Sequence, residues 1–340
     1  MNYNFVAILL FVLPTAQYEF VCVYDMCTIS NINIPFDGLY AFSFITNHTD
    51  ALILKSATGK RMDFTFLQNI PTLREIVLED CKFEEIVIHQ LKPPASLMLR
   101  HVSLKQILFH PSVNALTHVK LCGVPFTVIP QSVLQLQQLV DLEQSRSPMR
   151  QLHLTALRKL PNLVNLNLSY NKIQTVVIDT SGDCCGQLQS LNLVGNVLVH
   201  FNFGMLFHLQ QLERVFLGHN RIATLSTAVS HNYSPKRQFC SWRNYYQVKI
   251  EDNITIPEPP CNDYFAKLNT ITLNHNKLAK IDLSTFERMN VLEDLDLAFN
   301  DLKVITLAKG KVPISLNISM LKGNRGYLHD LPPDVFSGMT

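Results

Sequence analysis

The chain has 340 residues, with 29 Lys and Arg against 27 Asp and Glu and 47% apolar side chains. A net charge of +2 without a long basic run argues against a nucleic-acid-binding class. Only 16% of residues are charged, and that much apolar material builds a continuous core and excludes wholesale disorder.

The chain opens with a short apolar block, Phe5–Leu13, broken by Pro14-Thr15-Ala16. It has the place and size of a secretory leader core and is too short to cross a bilayer. We expect residues 1–17 to be a signal peptide and the product to be secreted and extracellular. No later stretch reaches the roughly 18 uninterrupted apolar residues of a spanning helix, so no membrane span is expected. Export places the eight cysteines in an oxidising compartment.

Residues 18–48 read as an N-terminal cap, and a local bridge between Cys22 and Cys27 would pin it. Residues 49–340 read as a repeat. Leu52 with Leu54, Leu97 with Leu99, and Val140 with Leu142 are degenerate strands, and Leu73–Phe83 and Leu116–Phe126 are weak copies. Five segments then fit L-x-x-L-x-L-x-x-N-x-L closely: Leu163–Ile173, Leu188–Leu198, Leu212–Ile222, Leu268–Leu278 and Leu292–Leu302. This is the leucine-rich repeat signature.

The third leucine serves as a ruler, and Leu142 is taken as its mark in the fifth repeat. One step is too long, since 273 − 217 = 56 residues. Val248, Ile250 and Asn253 supply a strand of the right pattern inside it, which leaves an insertion around 226–244. Cys240 and Cys261 flank that weak repeat and are disulfide candidates. Cys81, Cys122, Cys184 and Cys185 cannot be assigned, and the adjacent pair is expected to serve two partners or to stay reduced.

The physics of the pattern fixes an architecture. Period-two alternation makes short half-buried strands, and no single repeat buries its own leucines, so neighbours must stack. The expected fold is an α/β solenoid, a horseshoe of about twelve repeats with parallel strands on the concave face. The Asn of each repeat carries donors and an acceptor for the buried backbone of the turn. Cys81, Asn171, Asn196, Asn220, Asn253, Asn276, Asn300 and Asn324 are the expected rungs of that ladder.

Catalytic and metal motifs are absent, and no enzyme, cofactor or metal is expected. His219 and His275 share a repeat position with a repeat between them, and read as solvated histidines. Binding is expected on the inner face at Lys120, Tyr170, Arg214, Phe216, His219, Asp294, Asp296 and Phe299. Phe216 and Phe299 are either exposed anchors or rings shielded by long neighbours. The insertion gathers Tyr233, Arg237, Phe239, Trp242 and Tyr245, as a binding loop or as packing against the flank. Sequons at Asn47, Asn167, Asn232 and Asn317 are glycosylation candidates; that at Asn253 is expected to be silent in the ladder.

The repeats from 49 to 340, with the closing Leu331–Met339, resemble the extracellular class of leucine-rich repeat proteins. With the leader and the Cys22/Cys27 start, the chain looks most like dipteran secreted leucine-rich repeat proteins, such as the mosquito leucine-rich-repeat immune family. That resemblance implies a protein-binding scaffold for pathogens or complement-like factors in insect innate immunity. Long members of the family add a coiled coil and cysteines that join two chains. This sequence has no heptad segment, so a covalent dimer is not carried over. The other reading is the ectodomain of a leucine-rich repeat receptor or adhesion protein. The partner in either case is another protein.

Overall fold

The structure is a computed structural model and describes residues 18–37, 39–89, 95–110, 113, 116–178, 185–227, 265–307 and 316–324. In chain order the strands are β1 (Glu19–Val23), β2 (Met26–Ser30), β3 (Ala51–Lys55), β4 (Arg61–Asp63), β5 (Glu75–Glu79), β6 (Glu85–Ile88), β7 (Ala95–Arg100), β8 (Gln106–Phe109), β9 (Leu116–Cys122), β10 (Asp141–Ser145), β11 (Gln151–His153) and β12 (Asn165–Asn167). They continue with β13 (Thr175–Val177), β14 (Ser190–Asn192), β15 (His200–Asn202), β16 (Arg214–Phe216), β17 (Thr224–Ser226), β18 (Thr270–Thr272), β19 (Lys280–Asp282), β20 (Asp294–Asp296), β21 (Val304–Thr306) and β22 (Asn317–Met320). The chain forms two compact units, residues 1–152 with 156–173, and residues 153–155 with 174–340.

In the first unit β1 and β2 form an antiparallel hairpin closed by the Cys22–Cys27 disulfide. β2, β3, β5, β7, β9, β10 and β12 then pair in parallel, each with the next. On the flank β4, β6 and β8 make a second parallel sheet. In the second unit β14, β16, β18, β20 and β22 stack in parallel. Its flank carries the parallel pairs β15–β17 and β19–β21. Each unit is a leucine-rich repeat solenoid.

Return segments are short 3-10 turns, at 64–69, 133–135, 154–159, 203–206 and 283–286. Three of them start alike. Asp63, Asn202 and Asp282 accept from the backbone N–H two residues on, which satisfies a donor that a short turn leaves bare. The strand leucines are sealed: Leu166, Leu168, Leu191, Leu193, Leu217, Leu273, Leu295 and Leu297 are at most 1% exposed. In the second unit Phe201, Phe203 and Phe286 fill the wider flank side edge to face.

The asparagine ladder runs through the second unit, and in the first unit Asn171 is its one asparagine rung among the described residues. Asn171 Nδ2 donates to the carbonyls of Gln144 (2.7 Å) and Leu168 (2.9 Å), and its Oδ1 accepts from Ser147 N at 2.9 Å. Asn196 donates to Leu193 O at 3.0 Å. Asn220, Asn276, Asn300 and Asn324 repeat the three-bond pattern one repeat at a time. Each of the three-bond rungs therefore ties its own turn to the preceding repeat.

Cys81 stands in the same place and reaches Leu54 O at 3.4 Å. Burial pushes its thiol up to about 11, against hydrogen bonds that lower it. The thiol is therefore a neutral donor at pH 7. Its contribution to stability is intact below the unfolded-state value of about 8.5 and is lost as pH rises through about 11. Iodoacetamide at pH 8 is expected to label Cys122 in the folded protein and spare Cys81, the other free thiol among the described residues. Equal labelling of both, read by peptide mass mapping, contradicts this burial.

Three sequence expectations are corrected. First, β16 pairs directly with β18, Arg214 opposite Thr270 and Phe216 opposite Thr272. Asn276 Oδ1 takes Ile222 N at 2.9 Å and Asn276 Nδ2 takes Leu217 O at 3.0 Å, the bonds reserved for Asn253. No repeat stands between β16 and β18, and Asn253 itself lies outside the described residues. The motif around Val248, with Trp242, Cys240 and Cys261, lies outside the described residues.

Second, Leu142 faces Val119 and Leu166, while Gln144 faces Leu121. The mark of the fifth repeat is thus Gln144, a polar residue in a leucine row, followed by Ser147 and Met149. Third, the parallel stack starts before residue 49. Cys27 and Ile29 of β2 sit opposite Leu52 and Leu54, so the cap carries a repeat strand of its own. Cys185 is disulfide-bonded, which excludes the reduced state, and its partner lies outside the described residues.

Candidate functional site

From β2 on, each strand of the leucine-bearing face ends in the same turn, at the residue before the ladder position. That residue has positive φ, from 50° to 61°, at Asn31, Ser56, Asp80, His101, Arg146, Tyr170, His219, His275 and Phe299. Gly123, Gly195 and Gly323 hold the position elsewhere. Glycine enters this region freely, whereas a side chain there costs roughly 1–2 kcal/mol.

In the second unit the strained residues form a stack. The His219 and His275 rings lie 4.2 Å apart with planes 12° apart, and His275 and Phe299 lie 4.4 Å apart at 9°. All three are exposed, Phe299 by 46%. The Phe299 ring lies over Gly323, so tightly that a Cβ there would collide with it. The two histidines meet because no repeat separates β16 from β18. Rings lying face to face aim their in-plane lone pairs side by side, not at one point. Among the described residues no group of three or more His, Cys, Asp and Glu is placed to hold a metal ion.

Beside the stack run two rows on the strand face. One reads Ser190, Arg214, Thr270, Asp294, and the other Asn192, Phe216, Thr272, Asp296. β16 and β20 are two strand spacings apart, about 10 Å. Arg214, Phe216, His219, Asp294 and Phe299 therefore share one patch, with His275 at its centre. Phe216 is half-buried, so it is shielded more than Phe299. Asp296 has a local task as well: its Oδ1 accepts from Ala298 N at 2.9 Å. Asn192 and Asn167 cap their own turns in the same way, at 3.0 and 3.1 Å.

In the first unit Lys120 lies between Met98 and Glu143 on the strand face. His118 Nε2 meets Asp141 Oδ2 at 2.7 Å, and its Nδ1 meets the Thr117 hydroxyl at 2.8 Å. Asn165 Nδ2 donates to the other oxygen of Asp141. Lys55, Glu79 and Arg100 form an exposed ion-paired row, at 3.3 and 2.9 Å, which orders the face and adds little stability. Tyr170, 53% exposed, carries the Arg146 guanidinium 5.1 Å above its ring. Sequence reading missed Arg146, because its repeat is marked by Gln144 in place of leucine. Of the sequons, Asn47 is exposed in a turn and Asn167 is half-buried on β12. Asn232 and the Asn317 side chain lie outside the described residues.

No family model and no curated protein matches the chain. Among solved structures it is similar to the TLR13–ssRNA13 complex, with 18% identity and a TM-score of 0.47 over 82% of this chain and 48% of that one. It thus spans about half the length of that chain. It is also similar to a leucine-rich repeat protein of Leptospira interrogans, with 15% identity and a TM-score of 0.44 over 82% of this chain and 78% of that one. Strand register and the ladder, not these likenesses, establish the solenoid. Among the described residues no helix is long and apolar enough to cross a membrane.

Proposed function

We propose that the chain is a protein-binding scaffold that works outside the cell. It presents the patch of Arg214, Phe216, His219, His275, Asp294 and Phe299 to a protein partner. One observation carries the reading: exposed rings occupy a backbone position where glycine would be unstrained. Strain kept at a surface position is a mark of a functional site, and aromatics with Arg dominate interface hot spots. The leader-like start and the repeat style extend the reading to a secreted recognition protein of insect innate immunity.

The test separates binding from folding. Phe299→Gly relieves roughly 1–2 kcal/mol of backbone strain and loses one ring pair, about 0.5–1.5 kcal/mol. Its stability is therefore expected to stay within about 1 kcal/mol of the parent. Cross-linked capture from extracellular fluid should lose its specific band with Phe299→Gly and with Arg214→Glu. It should keep the band with Val199→Asp, a residue more exposed than Phe299 and outside the patch. Unchanged capture by both patch variants refutes the assignment.

A further inference from the structure

A second surface lies on the flank of the first unit, and it begins with Gln144. This side chain is fully buried, and its Nε2 donates to the carbonyls of Phe126 and Val128 at 3.2 and 3.3 Å. Those bonds hold residues 125–130 as a loop, so the β4–β6–β8 sheet gains no further strand and β8 is its edge. The inner edge of β8 is satisfied, with Gln106 N and His110 N donating to Glu84 O and Ile88 O. On the outer edge Ser132 Oγ donates to Ile107 O at 2.5 Å. The outward N–H groups of Ile107 and Phe109, and Phe109 C=O, pair with no strand among the described residues.

Beside this edge is a cleft of about 420 Å³, walled by Lys105, Leu108, Pro125, Phe126, Val128 and Pro130. Leu108 is 39% exposed and Val128 60%. Lys105 is the only charged residue in the lining, and its partner Glu84, 3.0 Å away, is itself half exposed. Such a pair is worth little and exchanges readily.

We propose that this cleft takes an extended peptide segment of another protein, added as a fourth strand beside β8. Its apolar side chains sit against Phe126 and Val128, and an acidic residue lies at the Lys105 end. The three outward groups that Ser132 leaves open, Ile107 N–H and the N–H and C=O of Phe109, ask for a strand backbone. The volume suits a few side chains rather than a globular face. The single cation sets the charge of the occupant. This site is separate from the strand-face patch of the second unit and does not depend on it.

The probe is a fluorescein-labelled, acetylated hexapeptide, Glu-Val-Thr-Val-Thr-Val amide, titrated with the full chain and read by anisotropy. Saturable binding is expected. N-methylation of the peptide's alternate amides facing β8 should weaken it at least tenfold, because the ladder is lost while the side chains remain. Val128→Asp should also weaken it at least tenfold, with an unchanged melting temperature because Val128 is exposed. Lys105→Glu should weaken the glutamate peptide and spare one carrying glutamine instead. Absence of saturable binding, or equal binding of the methylated peptide, overturns the proposal.

Discussion

Asn276→Ala is expected to lower the stability of the second unit by about 3–5 kcal/mol in urea unfolding. The side chain is 3% exposed. Its Nδ2 donates to Leu217 O at 3.0 Å and Leu273 O at 2.9 Å, and its Oδ1 accepts from Ile222 N at 2.9 Å. Alanine leaves Ile222 N without a partner, at about 1–3 kcal/mol for a bare buried group, and removes one of the two bonds to each of Leu217 O and Leu273 O, which keep Asn220 Nδ2 and Asn300 Nδ2, at about 1 kcal/mol per lost bond. Asn276→Asp sharpens the point. It keeps the acceptor for Ile222 N but loses both donors and sets a carboxylate against two carbonyls, so it is expected to be at least as damaging as alanine near neutral pH. A loss below about 1 kcal/mol for both variants would mean that water replaces the amide, and the ladder would not be a main tie between repeats.

The repeats were legible where each solved the packing problem in the same way. Leu166 and Leu168, or Leu295 and Leu297, alternate with polar residues because one strand face is sealed and the other open. Asn171 and Asn300 recur because the same three backbone groups need partners in every turn. The reading failed where a different residue met the same need. Gln144 fills a leucine place by reaching the carbonyls of Phe126 and Val128, so a leucine ruler slid to Leu142. Cys27 and Ile29 fill the places of two leucines in β2, so the first strand passed for a cap.

The long step from Leu217 to Leu273 misled for another reason. The cost of closing a loop grows slowly with its length, so a long excursion between paired strands is tolerated. A stretch with strand-like spacing therefore does not have to join the stack. That error hid the central feature of the candidate site. With a repeat placed between them, His219 and His275 read as separate solvated side chains. With β16 beside β18 they become the core of a ring stack that ends at Phe299. The strain at those positions was not legible either, since glycine occurs there in only some repeats.

Gln144 yields the second large effect, and two substitutions separate its roles. Gln144→Ala is expected to destabilise the first unit by about 3 kcal/mol. It opens a cavity under a fully buried position and removes both bonds to the 126–128 loop. Gln144→Leu is expected to stay within about 1 kcal/mol of the parent. Leucine fills the row beside Leu121 and removes Oε1, a buried atom that finds no partner among the described residues. Only one partner is removed, so the outcome stays near neutral because the two carbonyls it strips find water in place of the amide. Phe126 and Val128 line the flank cleft and their bonds to Gln144 are only part-buried, so water can reach these carbonyls once the amide is gone. The loop is then less firmly held, so Gln144→Leu should speed hydrogen exchange over residues 126–130 while leaving the urea midpoint nearly unchanged. If leucine instead destabilises as much as alanine, the amide bonds and not the packed volume hold this repeat. If alanine is nearly neutral, Gln144 does not hold the loop at all, and the open edge of β8 needs another cause.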